Sequence, residues 1–61
     1  MQERSQATRA KLLKAAATRI SRYGYDATGV AEICEAAGVS KGAFYHHFPH
    51  KQAIFLELLE R

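Results

Sequence analysis

Three residues, Gly38, Val39 and Ser40, separate the end of one helical pattern from the start of the next, and this break constrains the fold most. On its N-terminal side, "TGVAEICEAAG" places Val30, Ile33, Cys34 and Ala37 on one helix face, with Glu32 in the first turn and Gly38 as the stop. On its C-terminal side, Ser40 is a good N-cap, Phe44 and Phe48 recur four apart, and Pro49 cuts the pattern off near His47. Two short helices joined by so tight a turn, packed on a longer one, form a helix-turn-helix.

The longer helix precedes them. The stretch "TRAKLLKAAATRISRY" is predicted to be helical from an N-cap at Thr8, or alternatively Ser5, to a stop at Gly24. Leu13, Ala16, Ala17, Ile20 and Tyr23 mark its apolar face, where the alanines let another helix approach closely. A fourth helix is predicted from near His50 through "KQAIFLELLER". Its apolar residues, Ile54, Phe55, Leu56, Leu58 and Leu59, cover more than half its circumference, whereas a small core needs a stripe roughly 100° wide. The surplus implies a fragment whose fourth helix packs on further structure. No strand-like alternation occurs. The expected fold is all-α, a three-helix, homeodomain-like helix-turn-helix bundle plus the start of a fourth helix. The expected division is a flexible arm over residues 1–7, the helix-turn-helix domain over 8–48, and a fourth helix over 49–61 leading to another domain.

A chain of 61 residues supports one small domain, which buries only about 60% of its unfolded surface. The single cysteine, Cys34, forms no internal disulfide and reads as a small buried thiol, suited to a reducing cytoplasm. Nine Lys and Arg against six Asp and Glu leave a formal charge of +3, a mild bias towards an anionic partner. No apolar run approaches the ~18 residues of a membrane span. The polar "MQERSQATRAK" lacks the apolar stretch of a signal peptide. The expected setting is cytoplasmic, away from the membrane.

The third helix carries the functional signal. With Phe44 and Phe48 facing inward, Lys41, Ala43, Tyr45 and His46 face outward, and the first turn holds Gly42, a poor helix former. In a helix-turn-helix, the second helix enters the DNA major groove and presents its N-terminal residues to base edges. Gly42 then marks the closest approach, where a side chain would hold the groove away. Lys41 can donate to guanine O6 and N7, and Ala43 can meet a thymine methyl. Lys41 and Lys51 both stand at helix N-termini, where a cation opposes the dipole until an anion arrives.

The combination of Gly24 and Tyr25, Thr28, Ile33, "AAGVSKG", "FYHHF" and Lys51, spread over about residues 8–59, resembles the DNA-binding domain of the TetR family of bacterial repressors. The resemblance implies that Lys41, Gly42, Tyr45, His46 and His47 sit at the DNA. It implies also that Thr28 and Ser40 help hold phosphates, while Lys51 clamps the backbone. Specificity would then rest on Lys41, Ala43 and His46, and affinity on Tyr45, His47 and Lys51. A helical C-terminal domain that dimerises and binds a small effector is implied as well, hence a homodimer on a palindromic operator and release of a repressor by the effector. Four positions depart from the family pattern: Gly29 stands where Thr or Ser is usual, Arg19 where an apolar residue is frequent, His50 in place of the last cap, and Gln52 in place of Glu.

Two other readings are weaker. His46 and His50 lie four apart, a metal-ligand spacing, but Pro49 breaks the helix between them, so no metal or other cofactor is expected. Glu32, Glu35, Glu57 and Glu60 suggest no converging acid pair, and the scattered glycines form no phosphate loop, so an enzyme is not expected. A protein-docking module using the apolar fourth helix is the other alternative. Salt separates it from a DNA binder, since phosphate binding collapses as salt rises and apolar docking does not.

Overall fold

The computed structural model describes residues 2–60, with side chains from residue 5 onwards. Four helices follow one another: α1 (Gln2–Tyr23), α2 (Val30–Ala37), α3 (Lys41–His47) and α4 (Lys51–Glu60). The described residues include no strand. The all-α, helix-turn-helix expectation holds, and α2, α3 and the turn between them fall where their punctuating residues put them.

The turn is built by both of its ends. Gly38 adopts φ 73°, a left-handed conformation that costs a glycine little and other residues about 1 kcal/mol or more. Its N–H donates to Glu35 O at 3.2 Å, and the Val39 N–H donates to Cys34 O at 3.0 Å, the paired bonds of a Schellman stop. Ser40 then caps α3, its Oγ accepting from the Ala43 N–H at 3.1 Å. The buried Cys34 thiol points its Sγ at Ser40 O across 3.7 Å, so it ties the end of α2 to the start of α3. Burial is the larger influence on that thiol and raises its pKa above 9.0, with Lys41 opposing, as suits an inert packed cysteine.

α1 departs from the expectation at its start. It runs through Thr8, which is therefore no N-cap, and the described part of the expected arm, residues 2–7, is helical. A threonine inside a helix costs only about 0.5 kcal/mol relative to alanine, and the neighbouring Gln, Ala and Arg are good helix formers, so the helix propagates through it. Met1 lies outside the described residues.

The buried stripe of α1 is also rotated. Leu12, Leu13, Ala15 and Ala16 are buried, whereas Ala17 is exposed and Tyr23 is 51% exposed. With two adjacent leucines, two overlapping faces fit the helical period, and the stripe through Leu12 and Ala16 faces the core. Arg19 covers the outlying tyrosine, its guanidinium 4.7 Å from the Tyr23 ring centroid, while its Nε is buried without a hydrogen-bond partner.

The core joins these α1 residues to Ile33, Cys34, Phe44, Phe48 and Ile54, one contribution or more from every helix. Phe44 is fully buried and meets Phe48 with ring centroids 5.7 Å apart. Phe48 ends α3 in an extended conformation, φ −137° and ψ 127°, as expected for a residue before proline. α4 begins at Lys51, and His50 acts as its cap: Nδ1 accepts from the Ala53 N–H at 3.1 Å, the role a Ser, Asp or Asn side chain usually fills.

Candidate nucleic-acid interface

Burial divides α3 as its sequence period demands. Phe44 is inside, Ala43 and His47 are half-buried, and Lys41, Gly42, Tyr45 and His46 are exposed. Tyr45 is 52% exposed and stands edge-on to Phe44, with centroids 5.3 Å apart, so the core aromatic props the outer one. The outer side of α3 is thus a surface with a cation and a glycine at its start, a phenol in its middle and two imidazoles at its end.

The fold does not require Gly42 to be glycine. An ideal Cβ built there would meet only Ser40 Oγ, at 3.7 Å, an ordinary contact. Alanine would be accommodated and would be favoured by helix propensity. Nothing inside the molecule accounts for the glycine, so the side-chain-free surface it leaves faces outward.

The other expected contacts divide into three cases. Ser40 is exposed, and although its Oγ accepts the α3 cap bond, the hydroxyl keeps its own proton to donate. Thr28 is a correction: it is 0% exposed, and its Oγ1 donates inward to Gly24 O at 2.9 Å. A side chain bonded inside the α1–α2 connection presents no atom to a phosphate, so the contact expected of Thr28 is withdrawn. Nor does Thr28 cap α2. That place is held by Gly29, whose N–H donates to Glu32 Oε1 at 3.0 Å, half of a reciprocal capping box that glycine cannot complete.

Lys51 is half-buried at the start of α4. Its Nζ donates to Tyr25 O at 2.8 Å and lies 4.0 Å from the Tyr25 ring centroid. Contrary to expectation, this cation is already compensated without an anion, because a carbonyl dipole and an aromatic face offset the helix end. At the far end of α3, His47 has its pKa lowered from about 6.5, first by burial, then by His46 and by Arg9. The His46 and His47 rings meet edge-on, with centroids 5.0 Å apart.

Arg9 escaped the reading of the sequence. Its guanidinium stacks over the Phe48 ring at 4.6 Å and pairs with Glu57, joining α1 to the end of α3 and to α4. The signal was present, since Arg9, Leu12, Leu13 and Ala16 share one helical face, and a cation on an apolar face needs a partner. Among the described residues, no three His, Cys, Asp or Glu side chains are placed to hold a metal ion. Among the described residues, no helix is long and apolar enough to cross a membrane.

Comparison with known proteins gives a consistent picture. Residues 12–58 match the family described as bacterial regulatory proteins, tetR family. The chain is 40% identical over 58 residues to the HTH-type transcriptional regulator AcrR of Shigella flexneri, covering 95% of this chain and 27% of the relative. It is 34% identical over 59 residues to the HTH-type transcriptional regulator UidR of Escherichia coli strain K12, covering 97% and 30%. With the HTH-type transcriptional repressor KstR2 of Rhodococcus jostii it shares 43% identity over 51 residues, covering 84% and 25%. The chain thus spans between a quarter and a third of the length of these relatives. No solved structure gives a significant match. With more than three quarters of its length inside the family's helix-turn-helix region, the chain belongs to the tetR family of bacterial regulatory proteins.

Proposed function

We propose that the chain is the operator-reading part of a cytoplasmic transcriptional repressor. In this reading α3 lies in the major groove with Gly42 at the point of closest approach. Lys41, Ala43 and His46 face base edges. Tyr45, His47, Lys51 and the Ser40 hydroxyl serve phosphates, which set register and affinity without reading sequence. The longer protein is a homodimer on a palindromic operator, released by a small effector held outside these 61 residues. The exposed Leu56 and Leu59 then form part of the seat for that missing portion. KstR2 is named a repressor and the other two relatives are named regulators, which supports the regulatory role.

The observation that carries the proposal is Gly42: exposed, in the first turn of a helix, and unconstrained by its own fold. A duplex enriched by the chain from a random library supplies the probe. Gly42→Leu is expected to keep the helical circular dichroism spectrum while weakening that duplex at least tenfold. Unfolding of the variant, or unchanged binding, overturns the close-approach argument.

A further inference from the structure

Resting on the reading that Lys51 meets a DNA phosphate, we propose that Tyr25 is a positioning residue for the Lys51 ammonium. Two different parts of Tyr25 hold the cation: its carbonyl oxygen accepts from Nζ at 2.8 Å, and its ring lies beneath Nζ at 4.0 Å. The holder is itself fixed. The Tyr25 carbonyl also accepts from the Thr28 N–H at 3.2 Å, and the buried Thr28 bonds Gly24 O through its hydroxyl, so the short connection after α1 is tied at both ends. The Tyr25 ring in turn packs on Phe55, one turn further along α4 than Lys51, with centroids 4.7 Å apart and planes at 49°.

These contacts place the ammonium before any ligand arrives. A lysine head group is a point charge on a flexible four-carbon stem, and ordering that stem is part of what phosphate binding ordinarily costs. Here the ordering is done by the fold. An ammonium has three N–H donors; one is directed to the Tyr25 carbonyl, and the ring takes charge without needing a directed bond, so donors remain for an outside anion. The buried Thr28 gains a role by the same route: it holds the carbonyl that holds the lysine, at one remove from the DNA.

The test is a double-mutant cycle read by titration of a labelled duplex at several salt concentrations. Lys51→Gln is expected to weaken binding and reduce the salt slope by about one phosphate contact, ~0.9 in log K against log salt. Tyr25→Leu is expected to weaken binding about fivefold in the wild-type background and less than 1.5-fold in the Lys51→Gln background, while Tyr25→Phe retains wild-type affinity. If Tyr25→Leu does not fold, replacement of Tyr25 by phenylalanine and by 3,4,5-trifluorophenylalanine keeps the shape and drains the ring face of negative potential. Affinity should fall only in the fluorinated protein, and only with Lys51 present. Equal losses in both backgrounds, or no loss on fluorination, overturn the positioning role while leaving the phosphate reading intact. An unchanged affinity and slope in Lys51→Gln overturns the phosphate reading itself.

Discussion

At the scale of single residues, the glycines show how backbone and surroundings decide what a position tolerates. Gly29 has φ −99° and ψ 172°, a conformation open to any residue, and an added Cβ would meet Glu32 Oε1 at 2.7 Å. That atom ends a flexible side chain and can swing away. Gly29→Ser therefore exchanges a carboxylate cap for a hydroxyl cap and lowers the entropy of the unfolded chain, for an expected gain of ~0.5 kcal/mol. In a domain this small, that is about 2–4 °C in Tm by thermal denaturation. A loss would show that the Glu32 bond cannot be replaced. Gly38 at φ 73° has the opposite sign, and Gly38→Ala is expected to cost ~1 kcal/mol. His47 gives two opposed pH effects. Its folded-state pKa lies below the ordinary 6.5, from burial first, then His46 and Arg9, so the unfolded chain takes up its proton more readily. This group lowers stability as pH falls through 6.5 towards the folded pKa and costs nothing well above it. A nearby phosphate favours the imidazolium, so DNA binding is expected to tighten from pH 8 to 6. Denaturant titrations and duplex titrations over that range should therefore slope in opposite senses, and His47→Gln should flatten both. Slopes that survive the substitution assign the protons elsewhere.

At the scale of helices, the ties across elements matter more than the ladders within them. Arg9 stacks on Phe48, where α3 ends, and pairs with Glu57 on α4. The pair is about one-third exposed on both sides, so screening holds it to a few tenths of a kcal/mol. The cation–π contact supplies ~0.5–1 kcal/mol, and stacking should outweigh pairing. Arg9→Ala is expected to cost ~1 kcal/mol and Glu57→Gln under ~0.5 kcal/mol in chemical denaturation. Arg9→Lys should recover little, because an ammonium keeps the charge and loses the planar stack. Full recovery by lysine would reverse that ranking. The contrast also explains what could be read from the chain. Gly38, Ser40 and Pro49 act locally, so α2, the turn and α3 fell in place from sequence. Of the outward set Lys41, Ala43, Tyr45 and His46 expected from the four-residue spacing of Phe44 and Phe48, Lys41, Tyr45 and His46 are exposed and Ala43 is half-buried. The start of α1 did not follow, because Thr8 is as acceptable inside a helix as before one. The Tyr25 contacts of Lys51 and the identity of the Arg9 partner were hidden because they join residues 26 and 48 positions apart, whereas the Thr28 bond spans only 4 positions and its burial comes from packing that no local pattern marks.

At the scale of the molecule, size limits what one copy can do. A seven-residue α3 reaches only a few base pairs, and a genome offers roughly 10⁶ or more competing sites, so one copy cannot single out an operator. The net charge of +3 adds attraction to any duplex alike, which raises affinity and not discrimination. α4 leaves Leu56 and Leu59 48% and 65% exposed, and the relatives extend three to four times the matched length. If the longer protein pairs two of these domains about a two-fold axis, the second half-site binds as an intramolecular event and affinity rises ~10²–10⁴-fold without a new contact. The 61-residue chain is then expected to sediment as a monomer and to select one short half-site weakly. The longer protein is expected to sediment as a dimer and to select a palindrome whose half-sites lie about 34 Å apart, or a multiple of that. Library selection and sedimentation on both proteins decide between these states. A tight monomeric complex of the longer protein on a site without two-fold symmetry would overturn the dimer and leave the role of α3 standing.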